Sequence, residues 1–208
     1  GAEFGDDVLS GNGGDDRIVG DNGAADAGAN DTINGNDGND QLAGNGGDDI
    51  ITGGAGNDLI DGEDGDDRII YTVGDGIDTI SGGADTDTLS VAGTAAVDEV
   101  SVTVNGAGAL EFEINNSGVA DITADTIENL EINLGDEADT FTIAGDLSGS
   151  TLADVTALNG DAGDDTLDAS GVTNAFSFSM DGGAGADDLF GGAGDDFLVG
   201  GEGNDLLN

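Results

Sequence analysis

Along much of this 208-residue chain a single aliphatic side chain returns every ninth position, with small and polar residues between. Residues 35–70 divide without a gap into four nine-residue units, GNDGNDQLA, GNGGDDIIT, GGAGNDLID and GEDGDDRII. In these units glycine takes the first and fourth places, aspartate the sixth, and leucine or isoleucine the eighth. The frame extends upstream over 26–34, 11–19 and 2–10, broken by an insertion at residues 20–25. Downstream it skips Tyr71 and Thr72 and continues over 73–81 and 82–90, then returns at 160–168, 182–190, 191–199 and 200–208. In all thirteen units the sixth residue is Asp and the eighth is Leu or Ile, while the fourth is Gly in all but two, which carry Ala29 and Asp85. A low-complexity Gly/Asp linker would not keep this phase.

A fixed short period is the mark of a solenoid. Each unit reads as six turn residues followed by a three-residue strand. Side chains alternate faces along a strand, so the seventh and ninth point one way and the aliphatic eighth points inward. Two units make one flattened coil with a turn on each side. Units two apart then stack on the same edge, and their sixth-place residues lie 18 apart: Asp40 faces Asp58, and Asp31 and Asp67 flank Asp49.

Residues 91–159 lose the nonapeptide and keep strand character. Residues 97–104 and 110–114 alternate around a turn at 105–108, the pattern of a β-hairpin, and 130–134 alternate again. Residues 135–142 look like a decayed repeat with Glu137 where glycine belongs, and the reading is against an ion at Asp139. The chain thus divides into an N-terminal roll over 1–90, an intervening β-rich segment over 91–159, and a C-terminal roll over 160–208.

Composition shows what such a fold would need. Asp and Glu number 46 against two Lys plus Arg, a formal charge of −44, and 41 residues are glycine. Low hydrophobicity with this charge is a composition of disorder, and glycine adds backbone entropy that folding must overcome. The chain cannot neutralise itself, so a metal cation is the leading candidate. With no Cys there is no disulfide scaffold and no thiolate zinc site; with no His there is no zincin motif and no Ser-His-Asp triad. Arg17 and Arg68, the two cations, fall in seventh places as exposed strand residues and are too few for nucleic-acid phosphates. No run approaches a membrane span, and the first residues lack the character of a signal peptide. Glycine-rich turns leave backbone carbonyls unsatisfied by any neighbouring strand. With an Asp carboxylate they make the hard oxygen cage of Ca²⁺, about 6–8 oxygens at roughly 2.3–2.6 Å.

The units resemble the haemolysin-type calcium-binding repeats of RTX proteins over 2–90 and 160–208. The resemblance implies an all-β, right-handed parallel β-roll, a solenoid in two calcium-binding blocks around a metal-poor β segment. It places each of several Ca²⁺ ions between two stacked turns, held by one Asp from each and by carbonyls of second and fourth places. The carboxylates are then Asp7, Asp16, Asp31, Asp40, Asp49, Asp58, Asp67, Asp78, Asp87, Asp165, Asp187, Asp196 and Asp205. The carbonyls are those of Asn36, Gly38, Gly54 and Gly56, of Asn45, Gly47, Glu63 and Gly65, and of Gly74, Gly76, Gly183, Gly185, Gly192, Gly194, Gly201 and Gly203. Tyr71 and Thr72 stretch Asp58–Asp78 and Asp67–Asp87 to 20 residues, which should distort those sites, and Asp85 weakens the last one. Residues 169–181 read as an overlong half-coil without a metal turn, bringing Asp165 near Asp187. Asp or Asn in the fifth place of ten units reads as a solvated rim.

The resemblance also implies a role: a calcium-dependent folding and stabilising module of a secreted or cell-surface protein, exported by type I secretion machinery from a Gram-negative bacterium. The alternatives are a surface-layer or adhesin segment that assembles with calcium, and an accessory to a secreted protease, lipase or epimerase encoded outside this chain. The chain itself is read as no enzyme, because its Asp residues recur on every turn where a catalytic pair would be singular. The last unit stops without a cap, which points to continuation into a larger protein or to end-to-end self-association. Lanthanides suit the same oxygen cages. An ice-binding face is not expected, since third places such as Asp37, Gly46 and Ala55 form no Thr rank.

Overall fold

The eighth place decides which face of each strand turns inward. In Gln41–Gly46 the residues Leu42 and Gly44 are buried while Gln41 is exposed, and Ile50–Ala55 repeats the pattern with Ile51 and Gly53. The computed structural model describes residues 5–21 and 28–208. Most of the insertion at residues 20–25 lies outside the described residues, as do the first residues of the opening unit.

In Thr32–Asp37, Gln41–Gly46, Ile50–Ala55 and Leu59–Asp64 the strands are longer than the expected three residues, whereas Arg17–Val19, Asp188–Phe190 and Phe197–Val199 keep three. The longer strands start in the seventh place and run through the third place of the next unit, leaving only the fourth to sixth residues to turn. So short a turn closes because the second and fourth places take positive φ, as at Asn36 (75°) and Gly56 (146°).

Two sheets result, and the molecule is a mostly parallel β-solenoid. One sheet runs β1 (Val8–Gly13), β3 (Thr32–Asp37), β5 (Ile50–Ala55), β7 (Arg68–Thr72), β9 (Thr88–Ala92), β13 (Asn129–Asn133), β15 (Asp154–Asn159), β17 (Phe178–Asp181) and β19 (Phe197–Val199). The other begins with β2 (Arg17–Val19), β4 (Gln41–Gly46), β6 (Leu59–Asp64), β8 (Asp78–Ala84) and β12 (Ile122–Asp125). It continues with β11 (Leu110–Ile114), β10 (Glu99–Val104), β14 (Thr140–Gly145), β16 (Thr166–Val172), β18 (Asp188–Phe190) and β20 (Leu206–Leu207). Leu42 pairs with Ile60 and Ile60 with Ile80, so eighth places stack in register even across the insertion at Tyr71 and Thr72.

Both sheets pass through residues 91–159, with β9 joined to β13 and β8 to β12. The hairpin expected there is β10–β11, with Val100 opposite Ile114 and Val104 opposite Leu110. β12 adds a second antiparallel pairing, which gives this sheet eleven strands against nine in the other among the described residues. In the repeats the core is one aliphatic residue per strand: Ile33, Ile51, Ile69 and Leu89 from one sheet, Leu42, Ile60 and Ile80 from the other. It thickens in the middle, where Phe112, Phe141, Ile122, Leu130 and Ile132 are buried. Arg68 does not stand free on its strand: it pairs with Glu131 at 2.5 Å and bonds Ser90. Among the described residues no helix is long and apolar enough to cross a membrane.

Candidate metal sites

Stacking turns 18 residues apart brings each sixth-place aspartate under the next. The amide of Asp40 donates to Oδ1 of Asp58 at 2.8 Å, and that of Asp49 to Oδ1 of Asp67 at 2.8 Å. One edge carries the series Asp7, Asp31, Asp49, Asp67, Asp87, each amide donating to the next carboxylate. The other carries Asp16, Asp40, Asp58, Asp78 in the first stretch and Asp165, Asp187, Asp205 in the last. Neither insertion breaks the series. Asp58 to Asp78 and Asp67 to Asp87 keep 2.9 Å at a spacing of 20, and Asp165 to Asp187 keeps 2.9 Å at 22. The expected distortion is absent because β7 ends at Thr72 and the extra residues widen the turn before Asp78, which bends back through a bond from the Asp75 amide to the Thr72 carbonyl. Asp196 accepts from the amide of Phe178, since the half-coil before it has no Asp turn.

The ladder uses one carboxylate oxygen. The second, Oδ2, is buried without a hydrogen-bonding partner in Asp16, Asp40, Asp49, Asp58, Asp67, Asp87, Asp139, Asp165 and Asp187. A buried anionic oxygen left bare is costly, and a row of them is the signature of missing positive charge. Burial raises the carboxyls of Asp49, Asp58, Asp67, Asp78, Asp87, Asp139, Asp165 and Asp187, the amide of the preceding coil's aspartate pulls them partly back, and neighbouring carboxylates add to the rise. Asp49, Asp78 and Asp87 are pushed up to about 7, and Asp67 and Asp165 to about 6. Asp58 and Asp187 move up for the same reason.

First-place glycine has a role that turn propensity does not suggest. It faces inward beside the eighth residue, and a Cβ on Gly35 would collide with Oδ2 of Asp40 and with the Gly53 carbonyl. Gly44 and Gly53 stand in the same way to Asp49 and Asp58. The missing side chain is the space the carboxylate occupies. Gly35→Ala should therefore destabilise the metal-loaded fold by on the order of 2 kcal/mol, whereas Gly106→Ala, open on all sides with nothing within 4 Å, should be near neutral. Thermal melts in calcium compare the two; equal melting temperatures would refute the assignment.

The fourth-place carbonyls stack along the same edges. Those of Gly38, Gly47 and Gly56 face Gly56, Gly65 and Gly76 of the next coil, and Gly163 and Gly185 face Gly185 and Gly203. Second-place carbonyls do likewise: Asn36 faces Gly54, Glu63 faces Gly83, and Gly183 faces Gly201. Asn45 pairs with Glu63 across β4 and β6. A Cβ on Gly74 would meet nothing within 4 Å, and Gly192 and Gly194 lie against the carbonyls of Ala169 and Phe176.

Some participants were hidden from the sequence. The fifth-place Asx residues form a second, exposed ladder of opposite sense: Oδ1 of Asp15 accepts from the Asn39 amide, Oδ1 of Asn39 from Asn57, and Oδ1 of Asn57 from Ile77. Glu128 receives the Asp87 amide at 2.9 Å, extending one edge past the last nonapeptide. The path from Ala124 to Leu130 is shorter than that from their partners Ile80 to Leu89, so a different turn delivers this oxygen. Asp98 and Asp139 continue the other edge, which runs Asp98, Asp139, Asp165.

Among the described residues no three carboxylates converge. Each turn offers one inward Asp, so further ligands must come from the main chain. One hard carboxylate per turn, bare buried oxygens and stacked carbonyls fit an oxygen-seeking divalent ion. A sequence model of the RTX calcium-binding nonapeptide repeat, in its four-copy form, matches residues 2–24, 27–51, 44–75, 70–93, 157–171 and 179–208, well over half of the chain. No curated protein matches.

Proposed function

Because the chain belongs to the family of RTX calcium-binding nonapeptide repeats, we propose that it is a calcium-folded module of a secreted or cell-surface protein, exported unfolded and set outside the cell. Calcium binding in a non-enzymatic structural module is what family and fold support directly. The carrying observation is the row of buried, unpartnered Oδ2 atoms on stacked turns. In the loaded protein Ca²⁺ supplies the charge that satisfies them. The sixth-place carboxylates hold it, with fourth- and second-place carbonyls from the coils they face. These sites gather in two stretches, 1–90 and 160–208, of a right-handed roll. Export through a type I system of a Gram-negative bacterium, where calcium is scarce inside and about millimolar outside, accords with weak extracellular-type sites.

Tyr71 offers a direct test. It is the single Tyr in a chain without Trp, and its hydroxyl donates at 2.9 Å to the carbonyl of Gly76, in the turn that carries Asp78. Terbium should therefore show tyrosine-sensitised emission, displaced by millimolar calcium and lost in Tyr71→Phe. Absence of sensitised emission in the unmutated protein would remove the site from this turn.

End-to-end association is a second reading. Phe197, Leu206 and Leu207 are exposed on β19 and β20, the terminal strands of the two sheets. Light scattering with and without calcium separates an assembling chain from a monomer.

A further inference from the structure

The matched repeats leave out residues 94–156, yet one edge of the roll runs through them. The turn at 135–139 keeps the repeat's backbone without its sequence. Gly135 has φ 103° in the second place, and Glu137 takes 79° in the fourth, where glycine would stand. Leu134 replaces the first glycine and Phe141 the eighth aliphatic, and both are buried.

Asp139 behaves like a full member of the series. It is 1 % exposed, and its Oδ2 is buried with no partner. Its Oδ1 accepts the Asp98 amide at 2.7 Å, and its amide donates to Oδ1 of Asp165 at 2.8 Å. A Cβ placed on Gly163 would collide with the carbonyl oxygen of Glu137 and lie 2.8 Å from Oδ1 of Asp165. The fully matched repeat has the same arrangement at Gly203, between the carbonyl of Gly185 and, at 3.2 Å, Oδ1 of Asp205. Oxygens of the same kinds therefore stand around both gaps.

One coil earlier the arrangement ends. Asp98 is buried, but its Oδ2 accepts from the amide and hydroxyl of Thr94 at 2.7 and 3.0 Å, and its Oδ1 from Nδ2 of Asn115 at 3.3 Å. Protein donors satisfy both oxygens and close that end of the row.

We propose that a further divalent-cation site of the calcium class lies between the turns at 135–139 and 161–165, held by Asp139, Asp165 and the main-chain oxygen of Glu137, with Asp98 as a metal-free cap. The inference rests on the calcium reading of the repeats. The side chain of Glu137 is exposed, so it is the main chain of this residue that serves. The segment between the repeat stretches is thereby tied by metal to the second stretch, which begins at Gly160.

Ion counting by native mass spectrometry on the full chain, with calcium as the probe, tests this. Asp139→Asn keeps the acceptor for the Asp98 amide and should hold one ion fewer than the unmutated chain. Asp98→Asn should hold the same number, and Asp58→Asn should hold fewer. An unchanged count in Asp139→Asn beside a loss in Asp58→Asn overturns the inference and leaves the repeat sites standing. Unchanged counts in both would sink the reading beneath it. Crystals of the unmutated chain with terbium give a variant-free check. An anomalous peak between 135–139 and 161–165 is expected, and peaks confined to the repeat gaps would refute it.

Discussion

Chelating calcium should abolish most of the β structure of this chain, and returning it to about millimolar concentration should restore the roll cooperatively. The magnitudes are close enough for the ion to decide. Burying one Ile or Leu contributes about 1.5–3 kcal/mol, and each strand from β3 to β8 contributes one such residue. Two like charges at the strand spacing of about 4.8 Å repel by roughly 3 kcal/mol at an effective dielectric constant of 20. The stacked aspartates thus offset the hydrophobic gain coil by coil, and the glycine backbone adds its own entropy cost. An ion bound only by the folded chain reverses the balance. At a hundredfold excess over its dissociation constant each site adds about 2.7 kcal/mol, besides replacing repulsion with attraction. Far-UV circular dichroism should show disorder in chelator and a β spectrum in calcium. Hydrogen exchange should place any protection that survives chelation within residues 99–143, where Phe112 and Phe141 fill a thicker core. A spectrum unchanged across the titration would defeat calcium-dependent folding.

Register was the part most open to reading in advance. Ile51 and Leu42 face inward because their neighbours cannot, and an 18-residue return puts Asp40 under Asp58. The length of the strands was not readable from periodicity, because it depends on Asn36 and Glu63 taking positive φ, which non-glycine residues adopt only where a turn demands it. The first glycine looked like a turn former and proved to be room for a carboxylate. Asp85 looked like a lesion, yet at φ 76° it turns as glycine does, and the Asp87 carboxylate below it stays in the ladder. Glu128 goes unnoticed in the sequence, and the sequence argues against an ion at Asp139, for a common reason. The three-dimensional series fixes where an oxygen must be and not which residue, or which length of turn, delivers it. The fifth-place Asx residues passed for a wet rim because their bonds run between coils to backbone amides, a relation no single unit displays.

Acidification should do in part what calcium does. Burial lifts Asp49, Asp78 and Asp87 to about 7 and Asp67 and Asp165 to about 6 in the metal-free fold, against about 3.9 for an unfolded chain. A folded-state value raised in this way means the folded form binds protons more tightly. Its contribution to stability is complete below about pH 4 and disappears as pH climbs through 6 to 7. Metal-free protein should therefore gain β structure between pH 7 and pH 4, a change visible by circular dichroism in chelator. Calcium needs the same oxygens ionised, so proton and metal compete. Where one proton is displaced per ion, affinity should drop about tenfold for each pH unit below 6. Calorimetry at pH 6 in two buffers of different ionisation heat should register proton release on calcium binding, and the release should vanish near pH 8.5. The double variant Asp49→Asn, Asp87→Asn should release fewer protons at pH 6 than the unmutated chain. A calcium affinity flat from pH 5.5 to 8 would mean that these carboxylates are already ionised in the metal-free fold, and that burial has not left them waiting for charge.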